Sequence, residues 1–232
     1  MRDALSEMKE IVIFIGPPGA GKGTLARLCS GRLGWTQLST GDLCRQHITQ
    51  RTEVGQQIDL LIKSGKLIPD DLVLKMVKEW LQKEFKQTDG IILDGFPRTQ
   101  DQAKQFDIML RETLTMPYKV SVVQMELDNE LVVRRLTARV ICSDKSCQAV
   151  FSVDNTTEIE PGAAVCRECA SPLIRREDDV EPVIRERLSI YQRHAADLIE
   201  YYKLLKNPIY SLDVTRPVED VFEQFMHLKK WS

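Results

Sequence analysis

A glycine-rich loop with one lysine is the part of the sequence best suited to chemistry. The run GPPGAGKGT occupies residues 16–24 and follows a short apolar segment. Glycines let backbone N–H groups close around a phosphate without Cβ clashes, and the N-terminus of a following helix adds partial positive charge. Lys22 supplies an ammonium for the β- and γ-phosphate oxygens, so the pattern predicts a nucleotide-phosphate site. The loop residues concerned are Gly19, Ala20, Gly21, Lys22, Gly23 and Thr24.

The sequence lacks the residue that usually ligates the Mg²⁺ bound with nucleotide phosphates. Ser or Thr ordinarily follows the loop lysine and ligates Mg²⁺ through its hydroxyl. In this chain Gly23 stands at that position and Thr24 comes one residue later, so we expect Mg²⁺ to rest mostly on phosphates and water. Asp94 ends a second apolar run and can hold metal-bound water beside the loop. The alternative for Asp94 is a helix-capping aspartate.

Arginines recur at spacings that suit an anionic substrate. The planar fork of Arg98 matches phosphate oxygens, although a solvated surface arginine is the alternative. Arg135 and Arg139 are four residues apart and share one helix face, where like charges repel unless an anion or an acidic partner compensates. For Arg135, a solvated or ion-paired role is as open as a role in binding the anion. Two more arginines follow at Arg176 and Arg187.

Four of the six cysteines fall in one stretch of the chain. Cys166 and Cys169 form a CxxC pair, and Cys142 and Cys147 form a wider pair with four residues between them. Four thiolates at this separation can surround one tetrahedral Zn²⁺ and leave no open position, so such a site is structural. The alternative is a set of unligated thiols or a disulfide formed on crystallisation.

A zinc ribbon that reads nucleic acid is another hypothesis for this stretch. Between Cys142 and Cys169 two basic residues stand against five acidic ones, a net charge of −3. A protein that reads the phosphate backbone should be basic. We therefore expect no nucleic-acid partner.

The elements that position these residues alternate between apolar runs and helical patterns. This alternation is typical of an α/β fold, and we predict a doubly wound parallel sheet of about five strands. Strands are predicted at 11–15, 91–93, 120–125 and 209–213. Helices are predicted at 22–33, 71–86, 100–113, 130–139, 180–206 and 218–229.

Composition narrows the class of protein further. The 232 residues are 43% apolar and 28% charged, with a net charge of −2. This length suits one α/β domain with insertions, and the balanced charge gives no reason to expect nucleic-acid or membrane partners. The opening residues lack the order of a signal peptide, and no apolar run is long enough to span a bilayer. We expect a cytoplasmic monomer with reduced thiols.

These motifs resemble the nucleoside monophosphate kinases, specifically adenylate kinases of the long, zinc-bearing type. The variant loop is followed by STGDLCR at residues 39–45 and by DGFPRT at residues 94–99, in the family's order. The resemblance covers nearly the whole chain. It implies reversible phosphoryl transfer from Mg-ATP to AMP, with a structural Zn²⁺. It also implies one P-loop kinase domain, 1–232, with two mobile inserted lobes: a monophosphate-binding insertion at 39–68 and a zinc-bearing lid at 139–178.

Residue roles follow from the same resemblance. The implied catalytic residues are Lys22, Asp94, Arg98, Arg139, Arg176 and Arg187. Besides the loop, the implied ATP contacts are Arg139, Val150, Phe151 and, through its backbone, Arg216. The implied AMP contacts are Thr40, Arg45, Lys66, Leu67, Ile68, Gly95, Arg98, Gln102, Arg176 and Arg187. The family carries a second arginine directly after Arg139, where this chain has Val140.

Two competing functions remain open at this point. UMP/CMP kinases usually have a short lid and Ala at the position of Thr40, so the long lid and Thr40 favour AMP. A non-catalytic P-loop switch or binding module would have no use for the second group of arginines.

Overall fold

The computed structural model of the chain describes residues 8–63, 68–144, 146–147, 149–153 and 164–228. Its elements, in chain order, are β1 (Lys9–Ile15), α1 (Lys22–Leu33), β2 (Thr36–Ser39), α2 (Thr40–Thr49), α3 (Glu53–Lys63), α4 (Asp70–Glu84), β3 (Gly90–Asp94), α5 (Gln100–Thr113), β4 (Tyr118–Glu126), α6 (Asn129–Thr137), β5 (Arg139–Cys142), β6 (Val150–Ser152), β7 (Leu173–Ile174), α7 (Glu181–Leu204), β8 (Ile209–Asp213) and α8 (Val218–Leu228). The α/β fold is therefore confirmed.

Five strands form one parallel sheet in the order β2-β3-β1-β4-β8. β1 is central, and all but one of its residues are buried, as expected for an apolar strand covered on both faces. Because the strands are parallel, their carboxyl ends meet at one edge, where open α/β sheets bind ligands. Asp94 lies at that edge and pairs with Phe14 of β1.

Alternation along β1 shows that the sheet is covered on both sides. Ile11, Ile13 and Ile15 belong to one buried cluster, which includes residues of α4, α5 and α7. Val12 and Phe14 belong to another, which includes residues of α1 and α8. Successive side chains of a strand point to opposite faces, so these clusters are the two layers of a doubly wound fold.

Two predicted elements differ from the observed ones. The predicted strands omit β2, an edge strand in which only Leu38 is buried and which therefore lacks an apolar run. The helix predicted at 130–139 ends at Thr137, because Arg139 already starts β5. The other boundaries shift by a few residues, as frayed ends do. Among the described residues, none of the helices combines the length and apolar character needed to cross a bilayer.

Helices α2 and α3 fill the described part of residues 39–68. Ser39 caps α2, its hydroxyl accepting the Asp42 backbone N–H at 3.3 Å. The two helices pack so closely at Gly55 that a Cβ there would lie 2.0 Å from the His47 carbonyl oxygen. The hydroxyl of Thr52 accepts the N–H of Gly55 at 3.0 Å and fixes the turn between the helices.

A second, antiparallel sheet lies within residues 139–178. Its strand order is β6-β5-β7, with Val140 paired to Phe151 and Ile141 to Ile174. A small buried cluster of Val140, Cys142, Ala149, Cys166 and Leu173 lies beneath it. Val140, which stands where the family has an arginine, is thus part of this core.

Candidate active site

The phosphate loop owes its shape to glycines in the left-handed region. Gly19 and Gly21 have φ of +78° and +90°, which other residues adopt only with strain, and Gly21 also caps α1. A Cβ on Gly16 would lie 2.7 Å from the Met125 carbonyl oxygen, so this glycine lets the loop start against β4. Thr24 lies in the first turn of α1. The loop therefore curls around the helix N-terminus, as an anion site requires.

Lys22 lies folded against this loop. Its Nζ donates hydrogen bonds to the carbonyl oxygens of Gly16 at 2.7 Å and Pro17 at 2.8 Å. Burial lowers the pKa of Lys22 from 10.5 to about 8; Asp94 opposes the shift, and Arg98, Arg187 and Arg139 add to it. The ammonium is thus crowded by other cations and lacks a full counter-charge.

Asp94 faces Lys22 from the end of β3. Burial raises the pKa of its carboxyl group, while Lys22 opposes the shift. A Cβ on Gly23 would lie 3.0 Å from Asp94 Oδ2, so the absence of a side chain at residue 23 lets the carboxylate approach α1. Gln37, which sequence reasoning missed, donates its Nε2 to the same oxygen at 3.4 Å. The carboxylate therefore lies beside the position where Ser or Thr is usual in phosphate loops.

Four arginines from three parts of the fold act electrostatically on these two residues. Arg98 follows β3, Arg139 begins β5, Arg176 precedes α7 and Arg187 lies within α7. Arg98 stays accessible in the cleft, yet the crowding of protein around it and the charge of Arg187 lower its pKa. Burial and Arg139, followed by Arg45, lower the pKa of Arg176. We call Lys22, Asp94 and the four arginines the cationic cleft.

Two aspartates that sequence reasoning did not select hold arginines of the cationic cleft. Asp179 accepts two hydrogen bonds from Arg139, from Nε at 2.7 Å and from Nη2 at 2.5 Å, and its side chain is only 3% exposed. Asp178 accepts from Nη1 of Arg187 at 2.9 Å. Their position shortly after Arg176 was the available signal, but nothing local indicates that Asp179 meets Arg139 or that Asp178 meets Arg187.

Thr40, the first residue of α2, is hydrogen-bonded to the segment that follows β3. Thr40 is buried and donates its hydroxyl to the Gly95 carbonyl oxygen at 3.0 Å, and Arg98 donates Nε to the same oxygen at 2.7 Å. Gly95 has φ +79°, and a Cβ there would lie 3.3 Å from both Thr40 Oγ1 and an Arg98 nitrogen. Arg45 pairs with Asp42 on α2. The structure thus brings together Thr40, Gly95 and Arg98.

Gln102 is buried at the start of α5, and its amide is held on both sides. Its Oε1 accepts the backbone N–H of Arg98 at 2.8 Å. Its Nε2 donates to Asp70 Oδ1, on the first turn of α4, at 2.6 Å. The family resemblance assigns Gln102, Lys66, Leu67 and Ile68 to the adenine side of AMP. Ile68 is half-buried and packs against the core, whereas Lys66 and Leu67 lie outside the described residues.

The remaining predicted ATP contacts lie on β6, which pairs with the strand of Arg139, and near the end of β8. Val150 and Phe151 are half-buried on β6. Arg216 pairs with Asp213 at 3.1 Å near the end of β8. Arg135 is half-buried and donates Nη2 to the Val214 carbonyl oxygen at 2.8 Å, which ties α6 to that segment.

The four clustered cysteines converge, including the widely spaced pair. Their sulfurs all lie within 4.8 Å of one another, with Cys142 and Cys169 3.3 Å apart and Cys147 and Cys166 3.6 Å apart. A tetrahedral Zn²⁺ with Zn–S bonds of about 2.3 Å places its sulfurs about 3.8 Å apart. Backbone N–H groups of the residues two positions on donate to the sulfurs of Cys142 and Cys166, both at 3.4 Å. The donor set fits a closed tetrahedral metal site.

The fold and the cationic cleft together define a P-loop enzyme that handles nucleotide phosphates. Comparison with known proteins narrows this class. The adenylate kinase family model matches residues 14–207. The chain is 38% identical to the adenylate kinase of Archaeoglobus fulgidus over 92% of this chain and 94% of that protein. It is 36% identical to the adenylate kinase of Clostridium tetani over 94% of this chain and 97% of that protein.

A third relative, the adenylate kinase of Thermosipho africanus, is 36% identical over 94% of this chain and 98% of that protein. The chain belongs to the adenylate kinase family and is an enzyme of the nucleoside monophosphate kinase type. The resemblance carried by the three sequence motifs is thereby confirmed.

Proposed function

We propose that the cationic cleft transfers the γ-phosphoryl group between Mg-ATP and AMP, reversibly and without a covalent enzyme intermediate. The observation that carries this proposal is the mutual electrostatic influence of Lys22, Asp94 and the four arginines, which come from four elements or their flanks, α1, β3, β5 and α7. Phosphoryl transfer demands positioning and charge neutralisation rather than covalent chemistry. A dense set of cations around one cleft supplies both.

Each residue then has a distinct task. The loop N–H groups and Lys22 hold the ATP phosphates, with Arg139 reaching them from β5. Arg98, supported by Thr40 and Gly95, holds the AMP phosphate together with Arg45. Arg176 and Arg187 neutralise the charge of the transferring group. Gln102 lies on the base side of AMP.

Mg²⁺ completes the charge balance when ATP is bound, by shielding the phosphate oxygens during transfer. Asp94 is the residue suited to it, because burial raises the pKa of this carboxyl group and a nearby cation relieves that cost. Gly23 keeps the space beside Asp94 Oδ2 open. Asp94 would hold a metal-bound water of the Mg-ATP complex.

Residues 39–68 and 139–178 act as two covers that exclude water from the reaction. An open site would transfer the phosphoryl group to water instead of AMP. Arg139 and Asp179 lie at the two ends of the second cover, and their buried ion pair joins those ends. Zn²⁺ at the four cysteines braces this cover and takes no part in chemistry, since four thiolates leave no open position.

The setting of the enzyme belongs to the same proposal. We infer that it acts in the cytoplasm as a monomer, without nucleic-acid or membrane partners. The reduced thiols of Cys29 and Cys44, both buried, suit a reducing compartment. The low net charge of −2 suits small-molecule substrates.

The test is phosphoryl transfer to AMP, UMP, CMP and GMP, measured side by side at equal Mg-ATP. AMP should have the highest kcat/KM by at least about tenfold, equivalent to about 1.4 kcal/mol of transition-state discrimination. Equal or faster transfer to UMP or CMP would replace this proposal with the pyrimidine alternative.

A further inference from the structure

Two neighbours of opposite chemistry hold the amide of Gln102. The backbone N–H of Arg98 can only donate, and it faces Oε1 at 2.8 Å. The carboxylate of Asp70 can only accept when ionised, and it faces Nε2 at 2.6 Å. An amide can otherwise rotate by half a turn and exchange its oxygen and nitrogen. Here each neighbour penalises that rotation independently.

Asp70 lies at the N-terminus of a helix. It is the first residue of α4, which follows Pro69, and the partial positive charge of a helix N-terminus favours a carboxylate there. Gln102 is only 7% exposed, so water does not readily replace either bond. These two hydrogen bonds, which we call the amide lock, are therefore a stable part of the structure and not a transient surface contact.

We propose that Asp70 is a positioning residue that makes the enzyme specific for a 6-aminopurine by fixing which end of the Gln102 amide meets the base. This rests on the proposed function, in which Gln102 lies on the base side of AMP. A primary amide has two N–H donors and two acceptor positions, so one of each is left beyond the two bonds just described. Adenine beside its 6-amino group presents one donor and one acceptor, and the locked amide matches both.

The competing base is hypoxanthine, which carries an oxygen in place of the 6-amino group. The locked Oε1 would face this oxygen, and two acceptors would be left buried without a hydrogen between them. Rotation of the amide would bring an N–H to that oxygen. Asp70 and Arg98 both oppose this rotation. Without Asp70, only the backbone N–H of Arg98 opposes it.

The experiment measures kcat/KM for AMP and for inosine monophosphate in the full-length enzyme. The wild type should prefer AMP by at least about a hundredfold. In Asp70→Asn, whose amide can accept or donate, this ratio should fall by about tenfold or more. In Asp70→Glu, which still only accepts, the ratio should stay within about threefold of the wild type.

A matched control is Asp71→Asn, which removes the same charge from the same helix turn at an exposed position. It should leave the ratio unchanged. Because Asp70 acts through Gln102, adding Asp70→Asn to Gln102→Ala should produce no further change in the ratio. If Asp70 had only a structural role, its loss would lower kcat/KM for AMP and for inosine monophosphate by the same factor, and their ratio would not change.

The outcomes separate the two proposals. A wild type that does not phosphorylate AMP contradicts the proposed function itself. A wild type that prefers AMP, with a folded Asp70→Asn variant of unchanged AMP-to-inosine monophosphate ratio, overturns only the role of Asp70. Circular dichroism establishes folding, and Asp70→Ser, which can also donate, replaces the variant should Asp70→Asn fail to fold.

Discussion

The charge state of single residues in the cationic cleft is set by their neighbours. Lys22 is the clearest case, because burial and three arginines lower its pKa from 10.5 to about 8. A bound polyphosphate favours the ammonium form and therefore raises this pKa again. Nucleotide binding and protonation of Lys22 must then be coupled.

Proton uptake on nucleotide binding is the resulting prediction. Between pH about 8 and 10.5 the free enzyme has largely lost the Lys22 proton, and the complex regains it. At pH 8.5, about half a unit above that pKa, ATP binding without divalent metal should take up about three quarters of a proton, and affinity should fall as the pH rises through 8. Calorimetry in two buffers of different ionisation enthalpy measures this uptake.

Lys22→Met supplies the control for that measurement, since it retains the loop but has nothing to protonate. Its ATP complex should be weaker, and any uptake that persists in it belongs to ATP or to other groups. Equal proton uptake by the wild type and this variant would show that Lys22 is charged before ATP arrives.

Residues that stand in local sequence motifs could be selected from the sequence, and those that reach the cationic cleft through tertiary contacts could not. Lys22 and Arg98 stand in motifs whose spacing itself defines a phosphate site. Asp179 meets Arg139 across forty residues of sequence, and Asp70 meets Gln102 across thirty-two. Both aspartates precede or begin helices, where an acidic residue is unremarkable by itself.

Secondary-structure elements divide in the same way, into those that local sequence predicts and those that depend on tertiary contacts. β1 was predictable because a strand buried on both faces must be apolar throughout. β2 was not, because its sequence TQLS buries only one side chain at the edge of the sheet. The start of β5 directly after α6 was also missed, since Arg139 extends the helical pattern of residues 130–139 and only pairing with β6 makes it a strand.

Substitution of two glycines by alanine should change the free energy of unfolding in opposite directions, and the first, Gly55, lies where α2 and α3 pack closely. A Cβ on Gly55 would lie 2.0 Å from backbone that cannot move aside, so Gly55→Ala must push the helices apart. Its free energy of unfolding should fall by at least about 2 kcal/mol. Because α2 carries Thr40 and Arg45, the KM for AMP should rise as well.

Gly31→Ala is the matched substitution, made inside α1 where nothing lies within 4 Å of the added carbon. Alanine is the better helix former, so this variant should gain roughly 0.5–1 kcal/mol. Urea unfolding of both variants gives the comparison. A stable Gly55→Ala enzyme with normal KM for AMP would mean that the helix pair is looser than its packing indicates.

At the scale of the whole molecule, the large sheet has two apolar layers, whereas the second sheet has one small buried cluster. The described core of the second sheet has five buried residues, and two of them are cysteines of the proposed metal site. Such a cluster buries too little apolar surface to hold three short strands by itself. We therefore expect a metal at the proposed site to supply much of the stability of this sheet.

The last prediction separates that structural role from chemistry. The wild type should contain about one zinc per chain by elemental analysis, and Cys166→Ser combined with Cys169→Ser should lose it. The melting temperature should fall by at least about 5 °C, since 1 kcal/mol corresponds to about 2–4 °C in a chain of this size. At low temperature a measurable fraction of activity should remain, because the cationic cleft contains no zinc ligand.

Lys22→Met should behave in the opposite way, losing activity while its zinc content and melting temperature stay near those of the wild type. The contrast follows from position: Lys22 bonds two carbonyl oxygens of the phosphate loop, whereas the cysteines belong to the core of a separate sheet. Should the double cysteine variant keep its full melting temperature yet lose all activity in the cold, the metal would have to act in the reaction. A closed shell of four thiolates leaves no position from which it could do so.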